Sequence, residues 1–131
     1  MTDNEWMELA VLERKKYTSL LEIQDVTRQL AESLDRNDQV SVRMLIAMRQ
    51  DPLLQLEEID RGSKARLADL AEEDRQRASF LREGGQPGSR GETTFAEQAG
   101  RTRRLLEEVV ELDRRVSLRM AGEHSFYSDK K

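Results

Sequence analysis

Two apolar stripes joined by a short polar turn constrain this chain more than any other feature of its sequence. Between Leu20 and Leu34 the mostly apolar stripe residues recur at alternating steps of three and four, which places them on one face of a helix. A polar turn over residues 35–38 follows, and a second stripe begins at Val42 and reaches Ile59. Because helices joined by so short a turn must lie side by side and antiparallel, this stretch predicts a helical hairpin.

The composition favours narrow apolar seams on long polar helices. Charged residues make up 37% of the 131 residues and the hydrophobic set another 37%, whereas a typical globular domain carries about 25% charged residues. A coiled-coil seam fits this ratio because only about two or three residues in seven need be apolar. No sustained two-residue alternation predicts a strand. The predicted fold is all-α: an elongated, coiled-coil-like antiparallel hairpin with a third long helix, in a single domain over residues 1–121.

The first helix is predicted over residues 3–35. Thr2 and Glu5 have the spacing of a capping box, in which a hydroxyl and a carboxylate satisfy free backbone amides. At the other end Asn37 tolerates a left-handed backbone, and either Asn37 or Asp38 can cap the next helix. Residues 13–16 make the stripe polar, so the helix can fray or leave its partner at that point.

The second helix is predicted over residues 39–83, with a disturbance near residues 50–52. Pro52 lacks an amide hydrogen and its ring crowds the carbonyl group four residues earlier, which costs about 3 kcal/mol inside a helix. Asp51 and Pro52 also match an N-cap followed by proline at the first helical position. The helix therefore either kinks near Met48 or breaks and restarts, and we expect the kink.

A glycine-rich segment, residues 84–94, is predicted to be a mobile and exposed linker. Thr94 and Glu97 form a second capping-box pattern after it, so a third helix is predicted over residues 95–121. This helix is amphipathic and can return along the hairpin to close a three-helix arrangement. A flexible tail is expected over residues 122–131.

The sequence offers no constellation of residues for catalysis, for a cofactor or for a metal. The chain has no cysteine and its only histidine is His124, which leaves no ligand set for zinc and no catalytic triad. Its carboxylate clusters lack the Glu-x-x-His pairs that a di-iron bundle requires. The net charge of −4 is opposite to that of a typical nucleic-acid binder, and no apolar run is long enough to span a membrane. We therefore expect a non-enzymatic protein without cofactors, nucleic-acid partners or membrane spans.

Helix 2 carries a pattern of spaced leucines, an Arg-Gln pair and an Ile-Asp pair. The residues are Leu45, Arg49, Gln50, Leu53 or Leu54, Ile59 and Asp60. With the preceding Asp- and Asn-containing turn, this pattern resembles the FlgN-type flagellar export chaperones and the related FliT-like helical chaperones. The helix 3 string from Leu105 to Asp113 is similar to their C-terminal helix. The resemblance implies a cytoplasmic chaperone, monomeric or homodimeric, that binds hook-associated flagellar proteins, keeps them export-competent and delivers them to the export apparatus.

In that family the C-terminal helical region carries client binding. The resemblance therefore assigns client binding to six residues of helix 3, namely Leu105, Leu106, Val109, Leu112, Val116 and Met120. Met44 and Met48 on helix 2 are predicted to pack in the core, with a client-facing groove as the alternative, because methionine adapts to irregular partners. The alternative function is a non-enzymatic coiled-coil adaptor or structural protein, in which the same stripes pair permanently between two subunits.

Overall fold

The structure, a computed structural model, describes the backbone of residues 1–129 and the side chains of residues 1–122. Within these residues it contains five α-helices and no strand. The helices are α1 (Asp3–Asp35), α2 (Gln39–Met48), α3 (Gln50–Ala68), α4 (Glu72–Arg82) and α5 (Arg90–Asp129). The predicted all-α fold, with a helical hairpin and a third long helix, is confirmed.

The helices form three rods, α1, the segmented rod α2–α3, and α5, with the short helix α4 packed beside them. The rod α2–α3 runs antiparallel to α1, since Asp60 of α3 lies beside Lys16 and Arg66 reaches back to Glu8. α4 runs in the same direction as α1, because Asp74 lies beside the amino group of Met1 and Arg82 lies beside Glu13. The third rod returns parallel to α1. Its start and middle are fixed to successive turns of α1, as Gly91 N–H donates to the Asp3 carboxylate at 3.0 Å, and further along α5 the Thr102 hydroxyl donates to a carbonyl of α1.

The core lies along α1 in three clusters. The first cluster lies around the start of α1 and α5, where the ring centroids of Trp6 and Phe95 are 5.3 Å apart. The second joins Leu20 and Ile23 to the middle of α5. The third lies under the α1–α2 turn and is formed by Val26, Leu30, Leu34, Val42, Leu45 and Val116. α1 is therefore the rod on which the other two are mounted.

α1 begins and ends at the predicted residues because its signals are local. The Thr2 hydroxyl accepts from Glu5 N–H at 3.2 Å, and the Glu5 carboxylate accepts from Thr2 N–H at 3.2 Å. The hydrogen bond from the Thr2 backbone keeps the pKa of Glu5 below its ordinary value. After α1, Asn37 takes the left-handed backbone with φ of 54°. Of the two candidate caps, Asp38 is the one used, since its carboxylate accepts from Ser41 N–H at 3.1 Å.

The predicted disturbance in helix 2 is a one-residue interruption at Arg49. Arg49 keeps right-handed helical dihedrals, its N–H donates to Leu45, and its carbonyl accepts from Leu53 N–H at 3.2 Å. Helical hydrogen bonding therefore continues across the junction, and the chain keeps the same direction. Pro52 explains the position, because it cannot donate to the carbonyl of Met48, where α2 ends.

The prediction of one helix to residue 83 is wrong, because α3 ends at Ala68 and α4 begins at Glu72. Ala71 is extended between them, and Arg75 donates to the carbonyl of Ala68 at 3.3 Å, satisfying one group that the break leaves free. The break reverses the direction of the chain and places α4 against α5. The run Glu72-Glu73-Asp74 is the sequence signal for this start, since acidic residues favour a helix N-terminus.

The glycine-rich segment is shorter than predicted and is held by hydrogen bonds. α4 ends in a Schellman motif, in which Gly84 has φ of +99° and Gly85 N–H donates to the Phe80 carbonyl at 2.8 Å. α5 then begins at Arg90, not at residue 95. Its cap is Ser89, whose hydroxyl accepts from Glu92 N–H at 3.1 Å.

Two further features of α5 differ from expectation. Thr94 is not a cap, because its hydroxyl donates to the carbonyl of Arg90 inside the helix. The predicted end at residue 121 is also wrong, since the helical backbone continues through Gly122 to Asp129. Glycine at that position is tolerated at a cost of about 1 kcal/mol. The rest of the expected tail over residues 122–131, meaning its side chains from Glu123 onward and residues 130–131 entirely, lies outside the described residues.

Candidate partner-binding groove

Most of the stripe that sequence reasoning assigned to client binding lies in the core. Leu105, Val109 and Val116 are buried against α1, with 6%, 5% and 3% of their surface exposed. Leu112 and Met120 are partly buried and pack against the cluster under the α1–α2 turn. The remaining residue of that stripe, Leu106, is 44% exposed.

Leu106 is exposed because α5 and α3 do not close upon each other. Both pack along α1, and within the described residues they hardly touch each other. The space between them is an open groove of about 440 Å³. Residues from four helices line it: Glu13, Lys16 and Leu20 of α1, Leu56, Glu57 and Asp60 of α3, Arg82 of α4, and Ala99, Thr102, Arg103 and Leu106 of α5. We call this space the α3–α5 groove.

The walls of the α3–α5 groove are apolar near its middle. Leu56 of α3 is partly buried and lies across from Leu106 of α5. Val110 follows Leu106 by four residues, which places it on the same face one turn further along, and it is 57% exposed. An apolar strip of α5 therefore continues beyond the groove, and no described residue covers it.

The floor of the groove is a partly buried ion-pair layer. Glu13 is only 4% exposed, and its carboxylate lies 2.8 Å from Arg82 Nη2 and 3.6 Å from Lys16 Nζ. Lys16 Nζ also lies 3.5 Å from the Asp60 carboxylate. A hydrogen bond from the Lys64 ammonium, with the nearby charge of Lys16, holds the pKa of Asp60 below its ordinary value. Three cations, Arg82, Lys16 and Lys64, thus pair with two carboxylates across α1, α3 and α4.

The first helix was expected to fray at residues 13–16, but these residues are instead bound by side chains of α3, α4 and α5. Besides the ion pairs of Glu13, its backbone carbonyl accepts a 3.1 Å hydrogen bond from the buried hydroxyl of Thr102. Arg82 lies over the ring of Phe95, with 5.8 Å from its guanidinium carbon to the ring centroid. Arg103 donates to the carbonyl of Arg82 at 2.8 Å. A polar layer in an apolar seam fixes register in coiled coils, and this layer can do the same here.

The two methionines of α2 lie at the surface. Met44 and Met48 are 56% and 50% exposed, so the prediction that they pack in the core is wrong, and the alternative, a client-facing groove, stays a prediction. The core side of α2 is taken by Val42 and Leu45 instead. The sequence signal was available, since Val40, Met44 and Met48 are spaced by four residues and Val42 and Leu45 fall on the opposite side of the helix.

The described side chains include no group of three or more His, Cys, Asp or Glu arranged to hold a metal ion. In the described part of the chain, no helix combines the length and the apolar character needed to span a lipid bilayer. Comparisons with protein-family models, with curated proteins and with solved structures found no match to this chain. The functional argument therefore rests on the surfaces described above.

Proposed function

We propose that this protein is a non-catalytic helical chaperone that holds an amphipathic helix of a protein client in the α3–α5 groove. The observation that supports the proposal is the half-open bundle: α3 and α5 share one floor on α1 and leave an apolar-walled space between them. A client helix laid in this space completes a fourth position of the bundle. Its apolar stripe would meet Leu56 and Leu106, and its polar atoms would meet the ion-pair layer at the floor.

The energetics favour the groove over an exchange of α5. To offer Leu105, Val109 and Val116 to a client, α5 must leave α1 and expose side chains worth about 1.5–3 kcal/mol each. Phe95 and Thr102 are buried along the same helix and would be exposed with them. The sum is comparable to the whole stability of a small domain, about 5–15 kcal/mol. Binding in the open groove has no such cost.

Substitutions on two sides of α5 test the groove directly. Leu106→Asp and Val110→Asp place a charge on the groove side, and Leu118→Asp is the matched control, because Leu118 is 61% exposed on the same helix and does not line the groove. We expect the first two variants to weaken client binding by about tenfold or more, since a buried unpaired carboxylate costs more than 1.4 kcal/mol. Titration calorimetry measures the affinity. An equal loss in all three variants contradicts the proposal.

Amide hydrogen exchange separates the groove from the release of α5. Binding in the groove leaves the amides of residues 105–116 protected in the complex, whereas binding to a released α5 exposes α1 and changes protection along its whole length. Sedimentation of the same samples distinguishes these two modes of client binding from a dimeric adaptor. A stable dimer without client, in which Leu106 is protected by the second subunit, favours the adaptor function instead.

A more specific proposal names the client. It is supported by the resemblance of residues 45–60 and of the α5 string from Leu105 to Asp113 to FlgN-type export chaperones. On that basis the client is a hook-associated flagellar protein, which a cytoplasmic chaperone keeps export-competent. Such a client carries an apolar terminal helix that would otherwise self-assemble before export. The test is a titration with the terminal segments of a hook-associated protein, with the same segments carrying Asp on their apolar stripe as controls. Equal affinity for both sets rules out this client class and leaves the groove available to another protein.

A further inference from the structure

We infer that the outward face of α2 is a second docking surface, and that its partner is an amphipathic helix of another protein whose apolar stripe is bordered by acidic residues. This face is separate from the α3–α5 groove, which no residue of α2 lines. The inference goes beyond the proposed function, because it gives the molecule two binding surfaces.

The composition of α2 is that of a buried helix. Seven of its ten residues are apolar, and its polar members are Gln39, Ser41 and Arg43. A helix that is apolar on all sides normally lies inside a protein, since a surface helix keeps a polar face toward water. In α2 only Val42 and Leu45 are buried. The remaining apolar residues of α2 are therefore not needed for packing against the described part of the chain.

Those residues lie together on the outward side. Val40, Met44 and Met48 follow one another at steps of four and are 77%, 56% and 50% exposed. Ala47 is exposed between them, and Ile46 at the border is 38% exposed. Ten residues of helix measure about 15 Å, which matches about three turns of a partner helix. Methionines suit such a surface because their flexible side chains adjust to different partners.

Charge selects the partner. From Gln39 to Gln50 the chain carries two arginines and no acidic residue, although the whole protein has a net charge of −4. Arg49 is used inside the bundle, where its guanidinium lies 2.6 Å from the Asp113 carboxylate. Arg43 is exposed beside Met44 and makes no ion pair with any described side chain. An acidic residue next to the partner's apolar stripe would complement Arg43 and favour that partner over a basic one.

A second copy of this chain is a poorer occupant. An exposed apolar patch of this kind measures on the order of a few hundred Å², and a stable interface buries about 800 Å² on each partner. Two α2 faces packed across a two-fold axis would also bring the two copies of Arg43 near each other without an acidic residue between them. The area is sufficient for one short helix and the charge favours one that is acidic.

Two synthetic peptides test the inference on the full chain. Both have about four helical turns and the same leucine stripe, and they differ only in the flanking residues, which are glutamate in one and lysine in the other. We expect the glutamate peptide to bind, with chemical-shift changes at residues 40–48, and the lysine peptide to bind about tenfold more weakly. Met44→Gln should weaken binding of the glutamate peptide by about tenfold, and Arg43→Glu should reverse the preference. Circular dichroism and thermal unfolding show whether both variants are folded as the parent is.

Two controls keep this surface distinct from the groove. Leu106→Asp alters the α3–α5 groove and should leave the glutamate peptide bound at α2 as tightly as before. Leu118→Gln changes an exposed apolar residue on another helix and should have no effect. Equal affinity for both peptides, affinity unchanged by Met44→Gln, absence of binding, or a dimer that Met44→Gln dissociates would each overturn the inference. None of these results bears on whether a client occupies the groove.

Discussion

The two sides of α5 differ, although both face helices of the same bundle. Toward α1 the seam is closed along its length, with Leu105 and Val109 buried. Toward α3 the next residue in sequence, Leu106, is half-exposed over an open groove. One residue of helix, a rotation of about 100°, separates a side chain used for folding from one available to a partner. In a narrow bundle of this kind, the boundary between core and binding surface therefore runs between sequence neighbours.

The largest expected effect compares those two neighbours by truncation. Leu105→Ala removes buried methyl groups and should lower the free energy of unfolding by about 3 kcal/mol, whereas Leu106→Ala should lower it by about 0.5 kcal/mol. Urea denaturation monitored by circular dichroism measures both. Because the residues are adjacent on one helix, helix propensity changes equally in the two variants. If the two variants lost similar free energies of unfolding, the groove would be closed in solution, and Leu105 and Leu106 would not differ in burial.

The ion-pair layer belongs to both regions, since Glu13 lies at the floor of the groove and beside the closed seam. Glu13→Gln leaves Arg82 and Lys16 without their shared carboxylate. A fully buried pair costs about 3–5 kcal/mol when one partner is removed, but Arg82 is about one-third exposed, so we expect about 2 kcal/mol. Glu8→Gln is the matched control on α1, because its pair with Arg66 is exposed and contributes about 0–0.5 kcal/mol. A loss for Glu13→Gln no greater than this control would show that the layer is solvated.

Alanine substitutions at two glycines, one in the closed α1–α5 seam and one on α3, should change stability in opposite directions. At Gly91 an added Cβ would lie 2.7 Å from Asp3 Cα, so α1 and α5 could not keep their close approach. Gly91→Ala should therefore destabilise by about 1–2 kcal/mol despite the better helix propensity of alanine. At Gly62, on α3, an added Cβ meets nothing within 4 Å, and Gly62→Ala should stabilise by about 0.5–1 kcal/mol. Thermal unfolding gives both signs, and a stabilising Gly91→Ala would contradict the close packing of the α1–α5 seam.

The parts of the fold that could be predicted are those with local signals. Thr2 with Glu5 fixes the start of α1, Asn37 with Asp38 fixes the turn, and both were read from neighbouring residues. The break at residues 69–71 has a weaker local signal, the acidic run Glu72-Glu73-Asp74 that follows it. No proline or glycine marks it, and the contact that it makes possible, between α4 and α5, is not visible in neighbouring residues.

The groove was harder to predict for a related reason. Periodicity identifies the apolar face of α5, but it cannot tell which edge of that face a neighbouring helix covers. Leu105 and Leu106 both belong to the stripe, and only the position of α3 distinguishes them. Glu13 looked like a weakness because its partners, Arg82 and Lys16, come together only in the bundle. The methionines of α2 could have been assigned from the step of four that they share with Val40.

The smallest effect concerns the loop between α4 and α5. Arg77 donates to the Glu92 carboxylate at 2.6 Å, and this hydrogen bond keeps the pKa of Glu92 below its ordinary value. A carboxyl with a lower pKa in the folded state binds fewer protons there than in the unfolded chain, so its contribution is complete above the unfolded pKa of about 4.3. It is lost as the pH falls through the folded pKa.

Thermal unfolding between pH 6 and pH 3 measures this contribution. We expect Glu92→Gln and Arg77→Gln each to lower the melting temperature at pH 6 and to differ less from the parent at pH 3, since protonation removes the same interaction in the parent. Arg77 also donates to the Gln86 carbonyl and lies over the Phe80 ring, so Arg77→Gln should have the slightly larger effect. Because both variants break one pair, the double variant should melt where Arg77→Gln does. Additive losses in the double variant would mean that the loop is not held by this pair.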